Sequence, residues 1–409
     1  MGTETAPAPA APPATVRSVG ASITLDYLFS HLGYFTLLPV LPVLLPRLHP
    51  HVGAWWVGTA LLVSTFAMRG GALFVSGYLH RAPVRTTMVG GLLLAGCGFG
   101  ALPWAPGVPG MLCCLALAGF GISVNGLSAR AYVLVALSSP GERTAVFSAI
   151  QVAVNVSAAV GPVAANFLFS GRHYGLLLGV VAALYALAAA TVLVTVGRGL
   201  RLSDGSGRPP LRLGLLKVMV TDPGVRRASW VTVVGSLLYA QLFSALVLQV
   251  ALLTTEPSLR AAFFSLNAVL VIVLQIPVAF VMKRGMERGR SPMRYLLLGL
   301  LAFSCSFAVL GVCGDALVAA FAAVTVFTLA ETLFTPTVST VFAELGDGRP
   351  AVEVLGFRQV ATAAGESAGS FVGGTFFSLA AAHHALPVFW YALAAAGVLT
   401  AVLTRKGAP

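Results

Sequence analysis

Seven ionisable side chains stand inside long apolar runs of this 409-residue chain: Asp26, His31, Arg69, Arg130, Glu331, Arg358 and Glu366. On insertion scales such a residue costs at least about 2.5 to 3.5 kcal/mol in a bilayer, so each calls for a partner or a water-filled cavity. The chemistry they offer is ion pairing and proton exchange within a membrane. Glu331, near the middle of its run with no basic residue one turn away on the same helix, suits a proton carrier, the alternative being a neutral carboxyl hydrogen-bonded to a neighbouring helix. Asp26 and Arg130 lie at similar depths in their runs. No nucleotide loop of the GxxxxGK[ST] type and no clustered Ser/His/Asp or His/Cys set is present, so the chain is expected not to be an enzyme and to hold no cofactor. The cysteines Cys97, Cys113, Cys114, Cys305 and Cys313 read as packing residues, and His383-His384 as a loop pair, so no metal site is expected.

The elements that carry these groups are helices in lipid. Residues are 57% hydrophobic and only 9% charged, against roughly 25% charged in soluble domains. The apolar runs are continuous rather than alternating and long enough to span a bilayer, which favours helices over a barrel. Twelve spans are expected, at 21–46, 53–78, 86–106, 110–138, 144–170, 174–197, 228–253, 260–282, 295–314, 316–343, 353–381 and 386–404. The net charge of +12 is not a nucleic-acid footprint, because most Lys and Arg fall in the loops of one side and only Arg47, Arg172 and Arg260 in those of the other. By the positive-inside rule both termini are cytoplasmic. The abundance of Arg, Ala and Gly favours a bacterial inner membrane.

Residues 1–20 form a Pro/Ala-rich tail rather than a signal peptide, and 405–409 a second tail. The longest polar interruption, 198–227, is a linker that divides the spans into bundles at 21–197 and 228–404. At an offset of 208 residues, QVAVNVSAAVG (151–161) aligns on QVATAAGESAG (359–369), GLL at 91–93 on GLL at 299–301, and Gly77 on Gly285. Several matches at one offset point to an internal duplication.

Local motifs then resemble the drug:proton antiporter branch of the major facilitator superfamily over residues 20–405. GYLHRAPVR (77–85) is similar to the family's cytoplasmic loop signature at Gly77, Arg81 and Arg85, with His80 nearest the place of the signature Asp. SAAVGPVAA (157–165), centred on Gly161 and Pro162, is similar to the antiporter motif; small residues permit close helix approach and Pro162 permits bending. FTLAETLFTPTVSTVFAEL (327–345) resembles span ten of multidrug exporters, and the resemblance puts a proton or substrate carboxylate at Glu331. The family's Arg in span four is replaced by Leu115.

The resemblance implies an all-α membrane protein, with twelve transmembrane helices in two six-helix halves that rock about a central site. It also implies that spans one, four, seven and ten line the cavity. Asp26 and Arg130 are then expected to face each other, as a proton-linked switch or as a static pair. Arg69 is expected to anchor packing or to gate the cytoplasmic side, Arg358 to reach the surface, and Glu366 to interact only loosely with Arg358. The expected substrate wall comprises Tyr27, Tyr34, Asn125, Tyr132, Tyr239, Gln241, Phe327 and Phe334, whose rings and amides suit an amphipathic molecule. The expected activity is proton-coupled export of drug-like or secondary-metabolite molecules by a monomer, with protons, a small-molecule substrate and the bilayer as partners. Import, lipid transport, or a sensing or assembly role on the same fold are the alternatives.

Overall fold

The computed structural model describes residues 16–75, 82–137, 139–170, 174–197, 213–313, 315–345 and 351–405. Its helices are α1 (Val16–Leu37), α2 (Leu41–Leu48), α3 (Ala54–Val75), α4 (Val84–Gly100), α5 (Gly107–Ala136), α6 (Pro140–Ser170), α7 (Tyr174–Thr195), α8 (Leu213–Thr221), α9 (Pro223–Tyr239), α10 (Ala245–Leu253), α11 (Pro257–Glu287), α12 (Pro292–Cys313), α13 (Leu317–Glu344), α14 (Ala351–Ala382) and α15 (Leu386–Arg405).

With α1 and α2 taken as one broken rod, and α9 and α10 as another, the described residues form twelve long rods plus the short α8. Among the described residues, eight rods, the α9–α10 rod included, are long and apolar enough to cross a bilayer, and the α1–α2 pair, bent by 62°, adds a ninth. The remaining rods are α3, α4, whose helix has 17 residues, and α14, which carries Arg358 and Glu366.

Several rods differ in their bounds from the spans expected. The first breaks between Leu37 and Leu41, and the seventh passes through a 3-10 turn at Ala240–Phe243 before resuming as α10. The expected linker 198–227 ends in structure: α8 forms, and α9 already begins at Pro223. Asp222 caps that start, its carboxylate accepting from the Val225 amide at 2.9 Å with Pro223 in the first turn, where no amide hydrogen is needed. At the far end of α5, the Arg143 guanidinium donates to the Leu137 and Leu134 carbonyls at 2.8 and 2.9 Å, satisfying acceptors that the helix leaves open. α11 closes at Gly289, whose φ of 80° suits a residue without a Cβ.

The buried apolar side chains fall into two clusters, one from Val19 to Val196 and one from Leu215 to Ala394. In the first, α1 packs on α6 and α7, α4 between α5 and α7, and α3 on α5; in the second, α9 packs on α14 and α15, α12 on α13 and α15, and α11 on α13. Close crossings repeat at the internal offset. A Cβ on Gly161 of α6 would lie 2.7 Å from the Phe35 backbone of α1, and one on Gly369 of α14 would lie 2.8 Å from Leu237 Cα of α9. Likewise Gly91 admits the Asn125 amide of α5, and Gly299 admits Phe334 of α13. Equivalent helices therefore meet at equivalent glycines, where the lack of a side chain lets backbones approach.

The halves meet along two seams, α3 against α14 and α6 against α11. Four side-chain hydrogen bonds join α3 to α14: Thr375 to the Ala54 carbonyl, Thr65 with Ser370, Arg69 to Glu366, and Gln359 to the Arg69 carbonyl. Gly58 and Gly374 face each other in this seam, a Cβ on Gly374 lying 2.8 Å from Gly58 Cα. Trp55 meets the Phe371 ring edge-on at 5.0 Å beside them.

Candidate functional site

Between the halves lies a cavity of about 90 Å³, bounded by α1, α3, α9, the 3-10 turn and α14. Tyr34 and Phe35 on one side and Tyr239 and Phe243 on the other give it aromatic walls. Ser64, Thr65 and Ser370 supply hydroxyls. The stripe Tyr27, His31, Phe35 runs along one face of α1: Tyr27 stacks on His31 at 4.8 Å, and Phe35 reaches Phe243 of the other half at 6.4 Å between ring centroids. Phe35 and Phe243 are themselves 208 residues apart, so the internal repeat marked a wall pair that the expected set lacked.

The charge in this wall is an ion pair contributed by both halves. Arg69 Nε donates to Glu366 Oε2 at 2.6 Å, with the arginine 41% exposed and the carboxylate 10%. The carboxylate is thus held inside while the guanidinium keeps contact with solvent space. Glu366 is not a loose neighbour of Arg358, as expected from their spacing; Arg358 turns toward Ser339 of α13 at 3.4 Å. Seven residues separate Glu366 from Gln359, and the latter donates to the Arg69 carbonyl, so both residues grip one turn of α3.

Glu331 belongs to the second half. Its carboxylate accepts from Asn267 Nδ2 of α11 at 3.0 Å, and Asn267 also donates to Thr328 Oγ1 at 2.9 Å. The Tyr239 hydroxyl lies within hydrogen-bonding reach of Glu331 on the other side. Tyr239 therefore connects the carboxyl to the cavity it lines.

Asp26 is placed differently from expectation. It is fully buried between α1 and α5, where Asn125 Nδ2 donates to its two oxygens at 3.2 and 3.3 Å. Arg130 forms no ion pair with it; the exposed guanidinium sits beside the Tyr27 hydroxyl instead. Five residues turn Arg130 about 140° around α5 from Asn125, away from Asp26. Asp26 is sealed in a packing seam in this conformation and does not open on the cavity.

Of the expected substrate wall, Tyr34 and Tyr239 line the cavity. Tyr27 and Asn125 are buried beside Arg130 and Asp26, and Tyr132 is buried in the first cluster. Gln241 is an inter-helix tie rather than wall, donating to the Leu237 and Gly369 carbonyls at 2.9 and 3.0 Å. Phe327 and Phe334 are core: both pack against Phe303, at 4.7 and 5.8 Å between centroids, and neither reaches the cavity. They occupy the face of α13 turned toward α12, an orientation that a helix apolar all round does not disclose. Gly161 and Pro162 are buried where α6 crosses α1. Arg85 is half-buried in the first turn of α4, and Gly77 and Arg81 lie outside the described residues.

Two helical bundles with matched internal crossings, closed on each other around an aromatic cavity that holds an inter-half ion pair, are the architecture of a membrane transporter. The sequence agrees: residues 23–373 match the family model of the Major Facilitator Superfamily, and the chain belongs to that family of transporters rather than to an enzyme family. It is 26% identical over 399 residues, 93% of either chain, to the multidrug resistance protein MdtH of Aeromonas hydrophila, and equally to that of Aeromonas salmonicida strain A449. Among solved structures it is similar in fold to a POT family transporter in complex with a thioalcohol-conjugated peptide (TM-score 0.76, 11% identity, 95% of each chain). A POT family transporter in complex with 5-aminolevulinic acid is similarly close (TM-score 0.76, 12% identity, 96% and 99% of the two chains).

Proposed function

We propose that this transporter exports amphipathic organic molecules across a bacterial inner membrane in exchange for protons, with both termini in the cytoplasm. The observation that carries this reading is the Arg69–Glu366 pair, one residue from each half, set in a wall otherwise built of tyrosine, phenylalanine and small hydroxyls. Rings with a few polar groups recognise molecules that are largely apolar with one or two polar or cationic features. The naming of the MdtH relatives as multidrug resistance proteins agrees.

A drug-sized ligand needs a pocket of roughly 300 to 1,000 Å³, so a cavity of about 90 Å³ must widen to receive one. Widening means parting α3 from α14, and that breaks the ion pair. Substrate entry and release of Glu366 from Arg69 are then one event, which frees an acid in the cavity wall for proton exchange. Glu331, tied to the same wall through Tyr239, is the second exchangeable acid.

Proteoliposomes loaded with a cationic dye, a neutral antibiotic or a sugar provide the test. An imposed pH gradient is expected to drive movement of the first two and not the third. Glu366→Gln and Glu331→Gln, each verified as folded, are expected to lose gradient-driven transport while retaining exchange of labelled for unlabelled dye. Undiminished gradient-driven efflux in both variants would refute proton exchange at these carboxyls.

A further inference from the structure

A second cavity, of about 260 Å³, lies between the halves at the ends of the rods remote from the chain termini, and the proposed transport cycle does not use it. The first half contributes α2 and the Pro162 and Phe169 region of α6; the second contributes α10 and the start of α11. Its wall is apolar apart from Thr255 and two arginines, Arg47 and Arg260. Both belong to the small set of basic residues on this side of the protein. Arg47 lies over the Phe169 ring at 4.7 Å. Arg260 is steered inward by bonds from Nε to the Thr254 carbonyl at 2.8 Å and from a terminal nitrogen to the Ala251 carbonyl at 3.1 Å. Among the described residues, neither forms an ion pair with a carboxylate.

Two guanidiniums around one apolar cavity repel each other unless an anion comes between them, and guanidinium pairs phosphate through two parallel hydrogen bonds. The apolar remainder of the wall calls for hydrocarbon. The cavity borders the α6–α11 seam, both helices lining it, and both present exposed apolar side chains to the surroundings, among them Phe167, Val273 and Ile276, so the nearest medium is the bilayer. The bilayer itself supplies a molecule with a phosphate at the level of the rod ends and acyl chains below.

We propose that this cavity binds one anionic phospholipid, its phosphate between Arg47 and Arg260 and an acyl segment against the α2, α6 and α11 wall. Because both halves form the wall, the lipid binds only while they are closed at this end. A ligand of one state alone stabilises that state. The lipid is therefore a brake on opening here, and the composition of the surrounding leaflet sets the rate at which the transporter turns over.

The purified, delipidated full chain in detergent is titrated with phosphatidylglycerol, phosphatidylethanolamine or inorganic phosphate, and bound lipid is counted by native mass spectrometry alongside a thermal melt. One tightly retained phosphatidylglycerol with a raised melting temperature is expected, and neither effect from the other two. Arg47→Gln is expected to weaken retention about tenfold or more, and Thr255→Trp, which fills the cavity from its exposed rim, to abolish it while leaving the arginines in place. Equal retention of phosphatidylglycerol in Thr255→Trp, equal retention of phosphatidylethanolamine by the wild type, or full stabilisation by phosphate alone overturns the proposal.

Discussion

Replacing Gly58 by valine tests the inter-half seam most directly. A Cβ at Gly58 would stand 2.7 Å from the Phe371 carbonyl oxygen and 2.9 Å from the Thr375 amide, both backbone atoms of α14 that no rotamer change can move aside. Ordinary contact begins near 3.4 Å, so α14 must retreat by about 0.7 Å at this level, and further for the valine methyls. Overpacking of this kind costs about 1 to 3 kcal/mol. The three atoms nearest to that Cβ all belong to α14, so the cost falls first on the closed arrangement of the halves. At 1.4 kcal/mol per factor of ten, the ratio of closed to open should fall about 5- to 150-fold. Spin labels at positions 51 and 383, in loops of the two halves at this end, would report the change as a growing long-distance population in pulsed dipolar spectra. Gly374→Val should act in the same direction. Distance distributions identical to wild type, in a Gly58→Val protein that melts normally, would refute the reasoning that this crossing governs closure.

Asn125→Leu should lower the melting temperature markedly, because it strips the buried Asp26 of its side-chain donor, while Arg130→Gln should leave stability nearly unchanged; the reverse ranking in thermal melts would restore the pairing that the sequence suggested. Gln241→Leu removes the hydrogen bond to the Gly369 carbonyl that joins the seventh rod to the eleventh, together with one inside the seventh, and should cost about 1 to 3 kcal/mol in denaturation experiments, with the spectrum of transported dyes unaltered. Asn267→Leu, which deprives Glu331 of its amide donor but keeps the acid, should change the pH dependence of dye efflux in proteoliposomes; an unchanged profile would remove Glu331 from the proton path.

The number of rods was legible in the sequence, because hydrocarbon thickness and the 1.5 Å rise per residue fix the length of apolar run that makes one. The glycine crossings were legible too, since duplication writes each one twice, as at Gly91 and Gly299. Rotation about each rod was not. A soluble helix announces its buried face by an apolar stripe, whereas α5 and α13 are apolar on every side, so Arg130 and Phe334 could be placed in height but not in direction. Pairing across the seam was equally hidden: Arg69 and Glu366 are 297 residues apart, and nothing local to either names the other. The break in the first rod was not expected, although Pro39 and Pro42 stand at its edges and proline weakens helix continuity.

Rod one bends by 62° between α1 and α2 and rod seven tightens into the 3-10 turn at Ala240–Phe243, leaving the short segments α2 and α10 in contact near the ends of the two bundles. Across each joint the regular ladder gives way to a few turn-type backbone bonds, such as Val40 to Leu37 and Ser244 to Gln241, so an end segment of eight or nine residues is less stiffly tied to its shaft than a continuous helix would be. Opening at this end would then divide into two movements of different size: a local flap of two short caps, and a separation of whole bundles. A transporter so jointed can admit water and small ions to its vestibule before the opening is wide enough for its cargo to leave.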